Sequence, residues 1–405
     1  MKLAIALLAV AVVSQTDHLP GIARRADGIA TGTPEPARPI LIWWPAPIYP
    51  VPKSPALVAL TDQINQFMAE RHGSVEIRVK RPDGLGGIYQ SLRSGVTVAP
   101  SVMPDLILVQ RDDLVQAAAG GLIQPVHDLP RPNLFSHALG TAGDATFGIP
   151  YTLEITHLVY RAGQFSPLKT LNDLQAANAV LLFPGSAQNN TLLLCQYVAA
   201  GGHVTGDKGS PVLDTAPLQT VLAYYEEAVK DKRLGPSLLD YTSLSQYWPI
   251  FLNDKSAIAQ ISSTTYLNER ANVPDMDVMP IPTLDGSTVT TLDGWMWAVV
   301  ATDPVRQNAA LDLVSWLMDA DRHGNLTRQL GNLPSDSDAL ARWTGDSYAT
   351  FAQSLLDGQI APFPDTIPPA VATTLQKAFD DVIMGRKSAQ AAASDAVGSI
   401  QTGSG

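Results

Sequence analysis

Between Ile40 and Leu317, short apolar runs alternate with stretches in which apolar residues recur every three or four positions. The run Pro39-Ile40-Leu41-Ile42-Trp43-Trp44, stopped by Pro45 and Pro47, has the pattern of a strand buried on both faces. Leu57, Leu60, Ile64, Phe67 and Met68 then fall at helical spacing over residues 56–71, with His72-Gly73 as the stop. Val75, Ile77 and Val79 alternate with charged residues, which predicts a second strand, and a helix begins in 88–93. Met103 to Val109 is again a buried-strand pattern, and Leu114 to Ala119, followed by Gly120-Gly121-Leu122, predicts a helix closed by glycine. Farther on the pattern predicts strands over 153–160, 180–183, 256–261 and 296–300, and helices over 171–177, 192–200, 218–230 and 304–318. Strands alternating with helices imply an α/β fold, and no repeat of solenoid length interrupts it.

A chain of 405 residues exceeds what one hydrophobic core organises, so two domains are expected. Charged residues make up 16%, under the roughly 25% of ordinary soluble domains, while hydrophobic residues reach 45%, so the low charge does not signal disorder. The net charge of -11 and the lack of any basic run interleaved with aromatics argue against a nucleic-acid role. The single cysteine, Cys195, lies in an apolar run and is read as a small core residue; no metal site and no cofactor are expected. At the N-terminus, Lys2 precedes the apolar stretch Leu3 to Val13, the pattern of a secretory signal assigned to residues 1–20, with a flexible linker over 21–38. That stretch is well short of the about 20 residues of a membrane span, so export to the periplasm or extracellular face is expected, with the peptide cleaved or kept as a weak anchor.

Six short blocks in order carry a family resemblance from about Ile40 to the C-terminus. They are Ile42-Trp43-Trp44; Met103-Pro104-Asp105-Leu106-Ile107 with the later Ala119-Gly120-Gly121-Leu122; Phe147 to Glu154 continuing to Arg161; Phe251 to Ala259; Gly294-Trp295-Met296-Trp297; and Gly331-Asn332-Leu333-Pro334. In these the chain resembles the extracellular solute-binding proteins of bacterial ABC importers, of the maltose-binding-protein type. It departs from them at Ser262-Ser263-Thr264-Thr265-Tyr266, where glycines and a tryptophan are usual, and in lacking a lipid-attachment cysteine. The resemblance implies a two-lobe, type II-like periplasmic-binding-protein fold, each lobe a mostly parallel sheet flanked by helices. Lobe 1 would hold residues 39–152 plus 291–340 and lobe 2 residues 153–290 plus 341–402, with crossings near 151–155, 286–293 and 335–345. It further implies a monomer that closes over a solute and delivers it to permease subunits in the membrane.

Ligands of open α/β sheets sit beyond the carboxyl ends of the strands, and a sugar there needs flat aromatic faces and hydrogen-bonding side chains around its hydroxyls. The candidates for the aromatic faces are Trp43, Trp44, Tyr247, Trp248, Tyr266 and Trp295; those for the hydroxyls are Gln110, Asp112, Glu154, Gln188, Asn189 and Thr264. Glu154 leads the second group because the resemblance places it at a ligand-contact position. Plainer readings stand beside several of these. Trp297 shares a strand face with Trp295, one of Trp43 and Trp44 must face away from the other, Asp112 lies where a helix starts, and 188–190 is placed to cap a helix. Asp105 is read as bracing its turn, and Trp316 and Trp343 as core.

The functional expectation is capture of a sugar or oligosaccharide, with no chemistry performed. The alternatives are the same fold holding a polyamine, a glycerol phosphate or ferric ion, or a secreted glycoside hydrolase. Hydrolysis would need two carboxylates about 5 to 10 Å apart across a bond, and nothing in the sequence marks a proton donor. Gly185-Ser186-Ala187 lacks the glycine spacing of a nucleophile elbow, and Gly84-Leu85-Gly86-Gly87 lacks the Lys-Ser or Lys-Thr ending of a P-loop. Arg111 is the obvious cation for a phosphorylated ligand.

Overall fold

A computed structural model describes residues 38–71, 73–99, 102–127, 133–186 and 190–403, so the signal-peptide and linker expectations lie outside the described residues apart from Arg38. Strand β1 (Ile40–Pro45) is buried along its whole length. Helix α1 (Pro55–Arg71) turns Ala56, Leu60, Ile64 and Phe67 inward at the predicted spacing. There follow β2 (Val75–Lys80), α2 (Ile88–Val98), β3 (Leu106–Val109) and α3 (Arg111–Ala119). Gly121, at φ 64, allows the chain to turn back at the end of α3, where Leu122 N–H bonds to the Ala117 carbonyl at 2.9 Å. A two-residue hairpin, β4 (Thr141–Ala142) and β5 (Ala145–Thr146), leads into β6 (Gly148–Arg161), a strand of 14 residues.

The middle of the chain contributes α4 (Leu171–Ala176), β7 (Val180–Leu182), α5 (Thr191–Ala199), α6 (Thr215–Lys230), α7 (Leu244–Asn253), β8 (Ala257–Ser262), α8 (Ser263–Glu269) and β9 (Met276–Met279). After β10 (Val289–Thr290) and β11 (Leu292–Val299) come α9 (Pro304–Leu317), α10 (Ala320–Leu330) and β12 (Leu333–Pro334). The chain closes with α11 (Ser337–Leu340), α12 (Ser347–Leu356), β13 (Gln359–Ile360), α13 (Pro369–Ile383) and α14 (Ala389–Thr402). No described helix is long and apolar enough to cross a membrane. Cys195 lies in the core on α5, where burial pushes its thiol up to about 12.

The strands run in the order β2-β1-β3-β11-β6-β8-β7, with β9 and β12 also on β6. The outer pairs β1·β2, β1·β3 and β7·β8 are parallel. The sheet is nevertheless mixed, because β11 is antiparallel to both β3 and β6, and β6 to β8 and β9. The reason is connectivity: β11 re-enters the first half of the sheet directly from the junction between the halves, without the helical crossover that a parallel strand needs.

Strand β6 is that junction. Its residues up to Ile155 pair with β11, and from Thr156 onward it pairs with β8. Thr290, the last residue of β10, and Thr291, between β10 and β11, lie beside the same point. Thr290 Oγ1 donates to the Thr156 carbonyl at 2.7 Å and Thr291 Oγ1 to Thr156 Oγ1 at 2.8 Å. A third segment lies alongside as β12, where Ser335 Oγ donates to the Pro150 carbonyl at 2.5 Å. One apolar cluster, with Trp44, Tyr151 and Trp297, fills the first half beneath α1 and α9, and another, with Phe183, Tyr225 and Phe379, fills the second beneath α6, α13 and α14. Asp105 braces the first half: it accepts the Leu41 N–H at 2.8 Å and is held by Arg306 of α9, so it is structural and buried.

Candidate ligand-binding cleft

The strands of the first half end on one side of the sheet, and the loops that follow them meet segments of the second half across a cleft. One part of it, about 500 Å³, is lined by the 47–51 loop after β1, by Gln110 after β3, by Thr152 and Glu154 of β6, and by Trp295 of β11. Thr264 and Asn268 of α8 and Asn332 before β12 complete it. The second part, about 480 Å³, shares Pro82, Gln110, Glu154 and Trp295 with the first and continues to Asp83, to Arg111–Asp113, to Thr291–Asp293 and to Pro362–Asp365. These shared residues make the two parts one continuous trough.

Gly294 permits this floor. A Cβ there would lie 1.9 Å from the Thr152 carbonyl oxygen, so only glycine lets β11 approach β6 so closely. The register shift between Trp295 and Met296 then presents the half-buried indole of Trp295 to the trough and leaves Met296 in the core. On the other side of the cleft Thr264, one turn before Asn268, accepts the Asn332 amide at 3.1 Å.

The structure brings together five of the residues expected from sequence: Gln110, Asp112, Glu154, Thr264 and Trp295. Five others lie away from it. Trp44 is fully buried between Tyr151 and Trp297, with Nε1 donating to the Ile48 carbonyl at 3.1 Å, and Trp43 is covered on the opposite face of β1 with Lys80 over its ring. The correction has a simple cause: the strand is interior and packed on both faces, so neither of its successive side chains meets the cleft, and the loop after it does. Tyr247 is tied by its hydroxyl to the Gln260 carbonyl at 2.7 Å, and Trp248 stacks on Phe251 of the same helix. Tyr266 is packed on Tyr348, ring centroids 4.4 Å apart, because it lies on the face of α8 away from Thr264 and Asn268. Gln188 and Asn189 lie outside the described residues, and Asn190 caps α5 by accepting the Leu193 N–H at 3.1 Å.

Sequence reasoning missed Tyr49, Phe363 and Asp293. Tyr49 follows the proline-stopped β1, and Phe363 stands between Pro362 and Pro364, so an aromatic fixed by prolines at a strand end was the available signal for both. Asp293 had only its place before Gly294-Trp295. Water reaches it along the cleft, yet the walls crowd it: desolvation first, then the charges of Glu154 and Asp112, push its carboxyl up to about 6, against bonding to Gly294 N–H and the pull of Arg111. Asp113 is raised as well, by burial and by Asp112 and Asp83. Arg111 is the cation among them. Its side chain is 9% exposed, and Nε and Nη2 clasp Asp365 at 2.5 and 2.9 Å. Its Nη1 donates to the carbonyls of Ala138, Leu139 and Thr141 at 2.8 to 3.0 Å, and the guanidinium lies over the Phe363 ring.

A trough between two half-sheets, open to water and floored by an aromatic and a carboxylate, suits reversible capture of a small polar solute. Comparison with curated proteins finds no match. Among solved structures, the chain is similar to the sugar-binding protein MalE of Xanthomonas citri at a TM-score of 0.70 and 14% identity, covering 90% of this chain and 98% of that one. It is similar to the maltose-bound MalE of Listeria monocytogenes at 0.68 and 17%, covering 90% and 97%. The cyclic α-maltosyl-1,6-maltose binding protein of Arthrobacter globiformis matches at 0.67 and 18%, covering 90% and 99%. At such identities the likeness shows the fold, the two-lobe architecture of periplasmic binding proteins. The model of one family, described as bacterial extracellular solute-binding protein, matches residues 62–353, well over half of the sequence. The chain therefore belongs to the bacterial extracellular solute-binding proteins.

Proposed function

We propose that this protein is the substrate-binding component of an ABC importer, which captures a carbohydrate between its lobes and hands it to membrane permease subunits. The observation that carries the reading is the trough in which the Trp295 indole lies beside Glu154 and Gln110 on one wall and faces Thr264 and Asn268 from the other. An indole face packs on a sugar ring and the polar rim exchanges hydrogen bonds with its hydroxyls. Residues 39–152 plus 291–340 would move as one lobe and 153–290 plus 341–402 as the other, hinged where β6 changes partners, β10 passes into β11, and β12 leaves β6. A ligand favours closure only through contacts it gains there, so it must touch both walls. The structural relatives support the ligand class, since those named above are sugar-binding, maltose-bound or maltosyl-maltose-binding proteins. We read the protein as a binder without chemistry of its own, exported and monomeric.

A phosphorylated solute is disfavoured because Arg111, the expected cation, is already clasped by Asp365. The test is thermal melting of the purified protein against mono- and oligosaccharides, polyamines and phosphate esters. A ligand at 100 times its dissociation constant adds about 2.7 kcal/mol. A carbohydrate that raises the melt, with the rise lost in Glu154→Ala and Trp295→Ala, supports the reading; a response to phosphate esters alone refutes it.

A further inference from the structure

The part of the trough between Pro82 and Asp365 is lined by six carboxylates, Asp83, Asp112, Asp113, Glu154, Asp293 and Asp365, against one cation, Arg111. The bidentate pair cancels Arg111 with Asp365. The remaining five form no ion pair among the described residues. Five in about 480 Å³ repel one another; burial is the first cause of the raised carboxyls of Asp293 and Asp113, and the neighbouring carboxylates raise them further. A positive charge entering this space relieves that repulsion, and the walls focus the field on it. A second, independent observation points to an occupant of the same trough. Thr152 lines its adjoining part, is 1% exposed, and its Oγ1 has no hydrogen-bond partner among the described residues, an orphan for an occupant to satisfy. Trp295, shared by both parts, adds an aromatic face that favours a cation as well as a sugar ring.

We propose that this acidic end of the cleft receives a protonated amine, so that the captured solute is an amine-bearing carbohydrate; the inference rests on the carbohydrate reading above. The geometry divides the work: Trp295 and the Thr152–Thr264 part hold a sugar ring, and the carboxylates of α3, β6 and β11 hold the ammonium group.

The test is calorimetric titration at near-neutral pH, where Asp293 is ionised and an amine beside carboxylates still takes up its proton, with three probes: the glucosamine trimer, its fully N-acetylated and therefore neutral counterpart, and spermidine. The free-amine trimer is expected to bind about ten-fold or more tightly than the acetylated one. That preference should shrink as salt is raised. It should also shrink in Asp293→Asn and, independently, in Asp112→Asn on the exposed first turn of α3, with circular dichroism confirming that each variant is folded. Equal binding of the two trimers, or a preference untouched by both substitutions, overturns the amine proposal and leaves the carbohydrate reading standing. Binding of spermidine with neither trimer overturns both. Failure of the free-amine trimer to bind while the acetylated trimer does overturns the amine proposal alone.

Discussion

The pair Arg111–Asp365 bridges the cleft, and cutting it yields a prediction with a magnitude. Arg111 opens α3, which packs on β11 and the hairpin of the first half. Asp365 lies on the strap between β13 and α13, anchored in the second half by Ala361 and Ile367. In Asp365→Ala the guanidinium keeps its three carbonyl acceptors and loses the two bonds of 2.5 and 2.9 Å, leaving a charge without a counterion. Breaking a fully buried pair in this way costs about 3–5 kcal/mol. Here the carboxylate is 20% exposed and Nη1 stays satisfied, so about 2 kcal/mol is expected, roughly a 30-fold shift toward the detached strap. Hydrogen exchange reads it at Thr366, whose N–H bonds to the Phe363 carbonyl at 2.9 Å within the strap. Exchange at Thr366 should accelerate by about that factor, and small-angle scattering of the unliganded protein should give a larger radius of gyration. Asp365→Asn, which retains a neutral acceptor, should fall between. Wild-type exchange and scattering in Asp365→Ala would show that the pair does not join the halves in solution, and the reasoning would fail.

Two further substitutions test the frame of the cleft. Gly294→Ala places a methyl 1.9 Å from the Thr152 carbonyl and should cost about 3 kcal/mol in urea denaturation, whereas Gly235→Ala, at φ −165 with nothing within 4 Å, should cost under about 1 kcal/mol; equal effects would refute the close-approach argument. His157 is buried beneath the hinge with Nε2 2.9 Å from the Tyr348 hydroxyl, and burial lowers its pKa to about 4. The unfolded chain takes up its proton near the ordinary value of about 6.5 while the folded one resists, so stability should fall as pH drops from about 6.5 to 4, by about 3 kcal/mol in all. Asp293 acts with the opposite sign, since its raised carboxyl gains protons on folding and favours the folded state as pH falls through about 6. His157→Gln should flatten the His157 share of the slope, measured by denaturation at several pH values, and an unchanged slope would remove His157 as its source.

The periodicity of the chain located most elements up to α9. The runs at Ile40, Leu106 and Val180 are strands, and the helical spacings of 56–71 and 304–318 are helices with little change of boundary. Elements whose surroundings vary along their length were less legible. Strand β6 begins earlier than its pattern, at Gly148, because its first half is buried on both sides and shows no alternation. Helix α7 carries Pro249 inside it, and α8 follows β8 with no intervening turn residues, so their only local signals are the start residues Ser243, with Gln246 three positions on, and Ser262, which caps α8.

For the cleft, the sequence by itself determined which chemistry was available: the order of strand ends, the glycine before Trp295, the carboxylates of 110–113 and Glu154, and Thr264. Only the tertiary structure decided which side chains face the solute. Trp43 and Trp44 carried the same aromatic signal as Trp295, but an apolar cluster packs on each face of β1, whereas a glycine and a register shift turn Trp295 outward. Asp293, Phe363 and Asp365 reach Arg111 and Glu154 only through folding, from positions more than a hundred residues away in the chain. Local pattern records burial and periodicity along one segment. Which segments share a wall, and hence which charges crowd together, depends on contacts between distant segments, and no single stretch of sequence encodes them.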